Sequence, residues 1–230
     1  MADLAAVCKV CGTPLSGIRA IPPRVLRGVR RSGKNPNVCN VCSLKMIKGE
    51  IAEITVLFAD VRGFTGLTTE LGPMRTKELL DEYFQTVSQI LFAKDAMVDH
   101  FIGDAVMAFF NMPIVRPDHV AQAVAGGREI LQAVEHLNAH WRLPEPVGVG
   151  VGINTGFAVV GTVGSTDPKD YTAIGDAVNI AARLQGQAAA GEILVSAEAY
   201  RQVETAFPHA PARQLELKGI KDPVTAYSLR

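Results

Sequence analysis

The stretch Met97-Val-Asp-His-Phe-Ile-Gly-Asp-Ala-Val-Met-Ala-Phe-Phe110 decides how the chain is read. Residues 97–102 and 105–110 are two short strands, and Gly103-Asp104 between them is a hairpin signal. Helical spacing lies on both sides of this hairpin. From Thr65 to about Phe92, residues Leu79, Leu80, Tyr83, Phe84, Val87, Ile90 and Leu91 recur at three- and four-residue intervals. Downstream, Asp118 is placed to cap a helix to about Trp141, with Val124, Ile130 or Leu131, Val134 and Leu137 facing inward. Before the first helix, Ile54-Thr-Val-Leu-Phe58 is β-branched and apolar, a buried strand. The order β-α-β-β-α-β predicts an α+β, ferredoxin-like fold with a mostly antiparallel sheet and flanking helices.

Beyond Trp141, residues 146–166 carry no charge over 21 positions, but six of those are glycines. A membrane helix needs steady apolar character, so the pattern predicts two strands turning at Asn154-Thr155-Gly156. Asp176 to Ala189 reads as a helix, Ile193–Val195 as a strand, Ala197 to Val203 as a short helix, and Gln214 to Leu229 as closing strands. The first residues lack the basic start and apolar core of a secretory signal, so the expectation is a soluble, cytoplasmic chain.

The 230 residues carry 23 basic and 23 acidic side chains. With no net field, nothing global attracts nucleic acid or an anionic membrane. The four cysteines stand as Cys8-x2-Cys11 and Cys39-x2-Cys42, two knuckles that together can surround one tetrahedral ion. Two disulfides, or unrelated buried thiols, are the other readings. A four-sulfur shell is closed, so a zinc ion there is structural. Such an ion would stabilise a segment too short to hold together by apolar burial alone. Residues 12–38 are rich in Pro, Gly and Arg, with Arg19, Arg24, Arg27, Arg30, Arg31 and Lys34. This is a solvated loop or a contact surface. Ser43 to Gly49 reads as a linker, dividing a zinc module (1–49) from the larger domain (50–230).

Two aspartates stand at strand ends: Asp60 in Leu57-Phe-Ala-Asp-Val-Arg-Gly-Phe-Thr65, and Asp104 at the hairpin tip. Singly, each suits a turn or a cap. Together they suit hard cations, which take oxygen ligands. The segment Val61, Gly63, Phe64 and Thr65 leads into a helix start, whose free N–H groups can cradle phosphate. In Tyr171-Thr-Ala-Ile-Gly-Asp-Ala-Val-Asn-Ile-Ala-Ala-Arg183, Asn179 and Arg183 are four apart on one helix face. They offer an amide and a guanidinium to a ribose and a phosphorane, or form a plain polar stripe.

The segments FADVRGFT, FIGDAVMAFF and YTAIGDAVNIAARL, with VGINTG, GTVG, GEILVS and LKG in order, resemble the class III adenylate/guanylate cyclase catalytic domain over about residues 50–230. The resemblance implies that family's fold and a head-to-tail homodimer with active sites at the interface. It implies two Mg²⁺ or Mn²⁺ ions on Asp60 and Asp104, and a nucleoside triphosphate substrate. The partner subunit would supply Asn179 for the ribose and Arg183 for the transition state. Lys218 in Leu217-Lys-Gly219 matches a triphosphate-contacting lysine. Where the family's adenylate cyclases have an adenine-reading lysine, this chain has His100, and the second base-reading position is Thr172. ATP is the first expectation, with UTP or CTP, as in cyclases of bacterial antiphage systems, and GTP as alternatives. A catalytically silent nucleotide sensor and a nucleic-acid-binding zinc protein are the competing functions. A regulatory protein acting through residues 1–49 fits a shared-site dimer.

Overall fold

The computed structural model describes residues 4–45, 49–143, 145–164 and 169–229. Its N-terminal part carries a 3₁₀ turn (Ile18–Ala20) and two short helices, α1 (Ile21–Arg27) and α2 (Asn40–Lys45). Then follow β1 (Glu50–Arg62), α3 (Phe64–Ala93), β2 (Met97–Ile102), β3 (Ala105–Phe110) and α4 (His119–Trp141). The second half holds β4 (Gly148–Gly164), β5 (Lys169–Ile174), α5 (Asp176–Gln187), β6 (Glu192–Ser196), α6 (Ala197–Arg201), β7 (Ala212–Leu215) and β8 (Val224–Leu229). The eight strands form one sheet in the order β2-β3-β1-β4-β6-β8-β7, with β5 paired to β4. All pairings are antiparallel except β4 with β6. The expected α+β, ferredoxin-like architecture is present.

Helices α3 and α4 cover one face of the sheet through Leu79, Tyr83, Val87, Leu91, Val124, Ile130 and Val134, packed on Leu57, Ala59, Val151 and Ile153. Helix α5 covers part of the other face, with Ala177 and Ala181 against Val56, Ala158 and Val160. Helix α3 bends at Gly72 (φ 72°, ψ 166°), directly before Pro73. Proline disfavours a helical residue before it and cannot donate to the ladder, so the bend has a local cause.

Several local expectations change. The uncharged stretch does not turn at residues 154–156; β4 runs straight through it, paired to β1 from Glu50–Val160 to Arg62–Gly148. The polar residues there are absorbed by the sheet. Asn154 donates to the Ala177 carbonyl at 2.9 Å and Thr155 to that of Ile54 at 3.1 Å. Asp60 lies inside β1 and not beyond it. Asp118 occupies the N-cap position of α4, but makes no capping bond; its carboxylate pairs with Arg116. Of the expected linker, Ser43 to Lys45 belong to α2, and 46–48 lie outside the described residues.

Two glycines of β4 let other groups come close. A Cβ on Gly152 would lie 2.2 Å from the Gln185 nitrogen and 2.4 Å from the Ala181 carbonyl oxygen, both in α5. A Cβ on Gly150 would lie 2.1 Å from the Arg62 guanidinium. Backbone cannot yield as a side-chain tip does. Gly152→Ala is therefore expected to cost about 2–3 kcal/mol, lowering Tm by roughly 4–12 °C in calorimetry. Gly186→Ala, on the open side of α5 with nothing within 4 Å, is the control and should hold or raise Tm.

Candidate active site

The β1–β3 pairing (Ala59 opposite Val106) carries Asp60 alongside the start of β3, next to Asp104 in the turn after Gly103 (φ 65°). Asp60 Oδ2 accepts from Gln185 Nε2 at 2.8 Å and from Arg62 Nη1 at 3.1 Å. Arg62 also donates to the Gln185 carbonyl, so strand and helix hold the carboxylate from two sides. Burial, then the charge of Asp60, pushes the Asp104 carboxyl up to about 6. Burial, then the fields of Asp60 and Asp104, pushes the Tyr83 hydroxyl well above its ordinary range. Tyr83 Oη and Arg62 Nε are buried without a hydrogen-bond partner among the described residues. Two like charges held together, with oxygen donors only, suit Mg²⁺ or Mn²⁺.

Gly63 (φ 73°, ψ 13°) occupies the N-cap of α3, and no side chain caps the helix there. The Gly66 N–H donates to the Gly63 carbonyl at 3.1 Å, which leaves the Phe64 and Thr65 N–H groups for an anion beside the carboxylates. The Val61 side chain is buried in the core, leaving its backbone for any ligand contact. The side chain of Thr65 lies outside the described residues.

Asn179 and Arg183 are exposed on α5 and make no side-chain hydrogen bond among the described residues. Gln185, which holds Asp60, is buried on that same helix. Two residues correspond to about 200° of rotation, so Arg183 is turned away from its own chain's Asp60. Lys218 is exposed in the loop between β7 and β8, beside Gly219 (φ 83°).

His100 and Thr172 meet through a residue that the sequence reading passed over. Asp99 has a fully buried side chain. Its Oδ2 accepts from Thr172 Oγ1 at 2.5 Å and lies 3.2 Å from His100 Nδ1. The register of β2 slips between Val98 and His100, and that bulge re-aims Asp99. Arg62, Gln185 and Asp99 contact the candidate residues Asp60, Thr172 and His100 without a sequence signal of their own. A polar residue inside an apolar strand was the available hint for Asp99.

The four cysteine sulfurs lie within 4.8 Å of one another, and all four are free thiols. Cys11 Sγ and Cys39 Sγ are 3.8 Å apart, close to the edge of a tetrahedron with about 2.3 Å arms. Backbone N–H groups of Cys39 and Cys42 donate to Cys8 Sγ and Cys39 Sγ at 3.2 and 3.3 Å. Burial acts to raise the Cys11 thiol, but bonds with Thr13 outweigh it and hold the group at about 6. Burial and the neighbouring sulfurs push Cys42 up, and burial raises Cys39. Four sulfurs this close together suit a shared cation that takes thiolate ligands. The donor set fits zinc.

Residues 46–230 match the adenylate and guanylate cyclase catalytic domain. Adenylate cyclase 1 of Rhizobium meliloti is 36% identical over 137 residues, 58% of this chain and 20% of that protein. Guanylate cyclase soluble subunit beta-2 of Rattus norvegicus is 30% identical over 189 residues, 80% of this chain and 27% of that protein. The chain thus spans about a quarter or less of these curated relatives. Among solved structures, the adenylyl cyclase CyaB from P. aeruginosa superposes with a TM-score of 0.74 at 34% identity, over 79% of this chain and 95% of that one. The guanylyl cyclase Cya2 gives 0.72 at 31%, over 78% and 92%. The chain belongs to the class III nucleotide cyclase catalytic domain family. No helix of the described residues is long and apolar enough to cross a membrane.

The raised Asp104 carboxyl has a testable sign. A carboxyl whose folded value is raised costs stability that builds as pH rises from its ordinary value of 3.8 to about 6, is complete above that, and is fully relieved only as pH falls back to the ordinary value. In metal-free protein, Asp104→Asn should raise Tm most at pH 7.5 and roughly half as much at pH 5, read by scanning fluorimetry. For the thiols, atomic absorption should find one zinc per chain, absent from the Cys39→Ser/Cys42→Ser protein.

Proposed function

We propose that this chain converts a nucleoside triphosphate, ATP foremost, into its 3′,5′-cyclic monophosphate and pyrophosphate, at sites shared between two copies. The observation that carries this is the division within one chain. The paired carboxylates Asp60 and Asp104 lie at one place, while Asn179 and Arg183 stand exposed on the far side of the helix that supports Asp60. Only a second chain can bring an Arg183 to an Asp60.

In this reading Asp60 and Asp104 hold two Mg²⁺ or Mn²⁺ ions. Bound there, the ions lower the pKa of the ribose 3′-hydroxyl and neutralise triphosphate charge. The protein's own groups do the rest. Gln185 and Arg62 fix the direction of Asp60. The first-turn amides of α3, after Gly63, receive phosphate oxygens, and Lys218 contacts the triphosphate. From the partner copy, Asn179 orients the ribose and Arg183 stabilises charge developing on the phosphorane. The attack is intramolecular, so positioning and fixed charge supply most of the acceleration.

An uncovered apolar surface supports the head-to-tail pairing. The β1–β4–β5 ladder runs on past α3 and α4, leaving Ile51, Phe157 and Val159 exposed on the face those helices cover elsewhere. Isolated apolar residues are ordinary on a surface, but a contiguous row marks an interaction face. Base choice falls to His100 and Thr172. ATP is favoured by the adenylate cyclases among the relatives, and the shorter imidazole at position 100 keeps CTP or UTP as the second reading. The four-cysteine segment, residues 1–49, is a zinc module that steadies the cyclase domain and offers a regulatory protein a handle.

The test is turnover with Mn²⁺ and ATP, GTP, CTP or UTP separately, products identified by mass. One cyclic product is expected, and Asp60→Ala or Arg183→Ala should each lose activity about 10²–10³-fold, an estimate from the size of such terms, ~3–4 kcal/mol. Co-expressing the two inactive chains should restore about one quarter of wild-type activity, since a mixed dimer keeps one intact site. No rescue on mixing would sink the shared site, and no product from any triphosphate would sink the activity.

A further inference from the structure

Lys34 lies in the stretch between the two cysteine pairs, 65 residues in sequence from Asp99, yet its ammonium ends on that carboxylate. Lys34 Nζ donates to Asp99 Oδ1 at 2.5 Å and to the Tyr171 carbonyl at 2.5 Å. The other oxygen of the same carboxylate accepts from Thr172 Oγ1 at 2.5 Å and lies 3.2 Å from His100 Nδ1. Lys34 thus touches both the buried carboxylate that contacts Thr172 and His100 and the backbone of the residue preceding Thr172.

The placement is built and not incidental. The Lys34 carbonyl accepts from Val98 N–H at 2.9 Å, joining the segment to the edge strand β2. Asn35 is fully buried and donates to the Ala96 carbonyl at 2.9 Å; Asn37 donates to that of Phe92 at 3.1 Å. Lys9, next to Cys8, donates to the buried Asp95 at 2.5 Å, and its N–H bonds Asn37 O at 3.0 Å. The cysteine cluster therefore fixes both segments that hold Lys34 in place.

A buried carboxylate without a compensating charge is costly, and the Lys34 ammonium supplies that charge. An ionised carboxylate only accepts. Thr172 must then direct its hydroxyl proton at Asp99 and present lone pairs elsewhere. A base meeting that oxygen is favoured if it offers an amino group and disfavoured if it offers a carbonyl.

We infer that Lys34 is a specificity-determining positioning residue of the nucleotide site: through Asp99 it sets the Thr172 hydroxyl as an acceptor, so that the cysteine module selects a triphosphate with an amino-bearing base. This rests on the reading of His100 and Thr172 as the base site. Adenine and hypoxanthine differ by amino against carbonyl at C6 and by a bare against a protonated N1; cytosine and uracil differ in the same way at C4 and N3.

The experiment compares ATP with ITP, and CTP with UTP, by turnover and by displacement of a fluorescent ATP analogue. Each ratio is measured on one preparation, so the folded fraction cancels. In the wild type the amino-bearing member should be preferred at least about tenfold, well within what one hydrogen-bonded group supplies. Lys34→Met should bring the ratio within about threefold of unity. Asp99→Asn should do the same, and the double variant should equal either single one, as for residues acting in one chain of contacts. The double variant leaves no buried charge unpaired, so it is informative even where Lys34→Met fails to fold. An unchanged ratio in these variants, a wild-type preference for ITP and UTP, or independent additive effects would overturn the inference. Selective binding without turnover would remove the cyclase activity and leave the inference standing; no nucleotide binding at all would remove both.

Discussion

Two negative charges held side by side organise much of this structure. Asp60 and Asp104 come from different strands, and the antiparallel pairing of β1 with β3 leaves them no freedom to separate. Burial and mutual repulsion raise the Asp104 carboxyl, which amounts to stored affinity for a cation. Around the pair, the fold supplies direction: Gln185 from α5 and Arg62 from β1 each hold Asp60. That support needs α5 to press on β4 closely enough that residue 152 has no side chain, and Arg62 to cross β4 where residue 150 has none. Gly150 and Gly152 are therefore part of the site, on the strand next to the one that carries Asp60, with Gly150 directly opposite it.

Much of the fold was legible because its strongest signals are periodic. The hairpin 97–110, the helix 119–141 and the ferredoxin-like order follow from apolar spacing and turn residues alone. The predicted turn at 154–156 was a misreading with a physical cause. Asn and Gly are turn formers in isolation, yet Asn154 bonds the Ala177 carbonyl and β4 continues past it. A tertiary acceptor decided what a local propensity could not.

The site was legible in a different proportion. Aspartates at strand ends and an Asn–Arg pair at helical spacing can be picked out by position, and so can paired cysteines. The residues that hold these groups cannot, because their roles depend on who arrives from elsewhere. Strict alternation would set Asp99 and His100 on opposite faces of β2; the slip in register after Val98 brings them to one place. Lys34 was visible only as one cation in a basic loop, and its significance lies in the buried carboxylate it reaches.

The β1–β4 ladder has a mechanical meaning. Ile51 at its uncovered end and Asp60 at its carboxylate end are nine residues apart on one strand, roughly 30 Å. Paired along this whole length, the strand behaves as a stiff beam with the uncovered apolar surface at one end and the paired carboxylates at the other. A tilt of only about 5° between two such beams displaces the far end by roughly 2.5 Å over that length. A displacement of that size separates a guanidinium in contact with phosphate from one that is not. Small changes in how two copies lean on each other would therefore be read out, amplified, as the presence or absence of a complete active site.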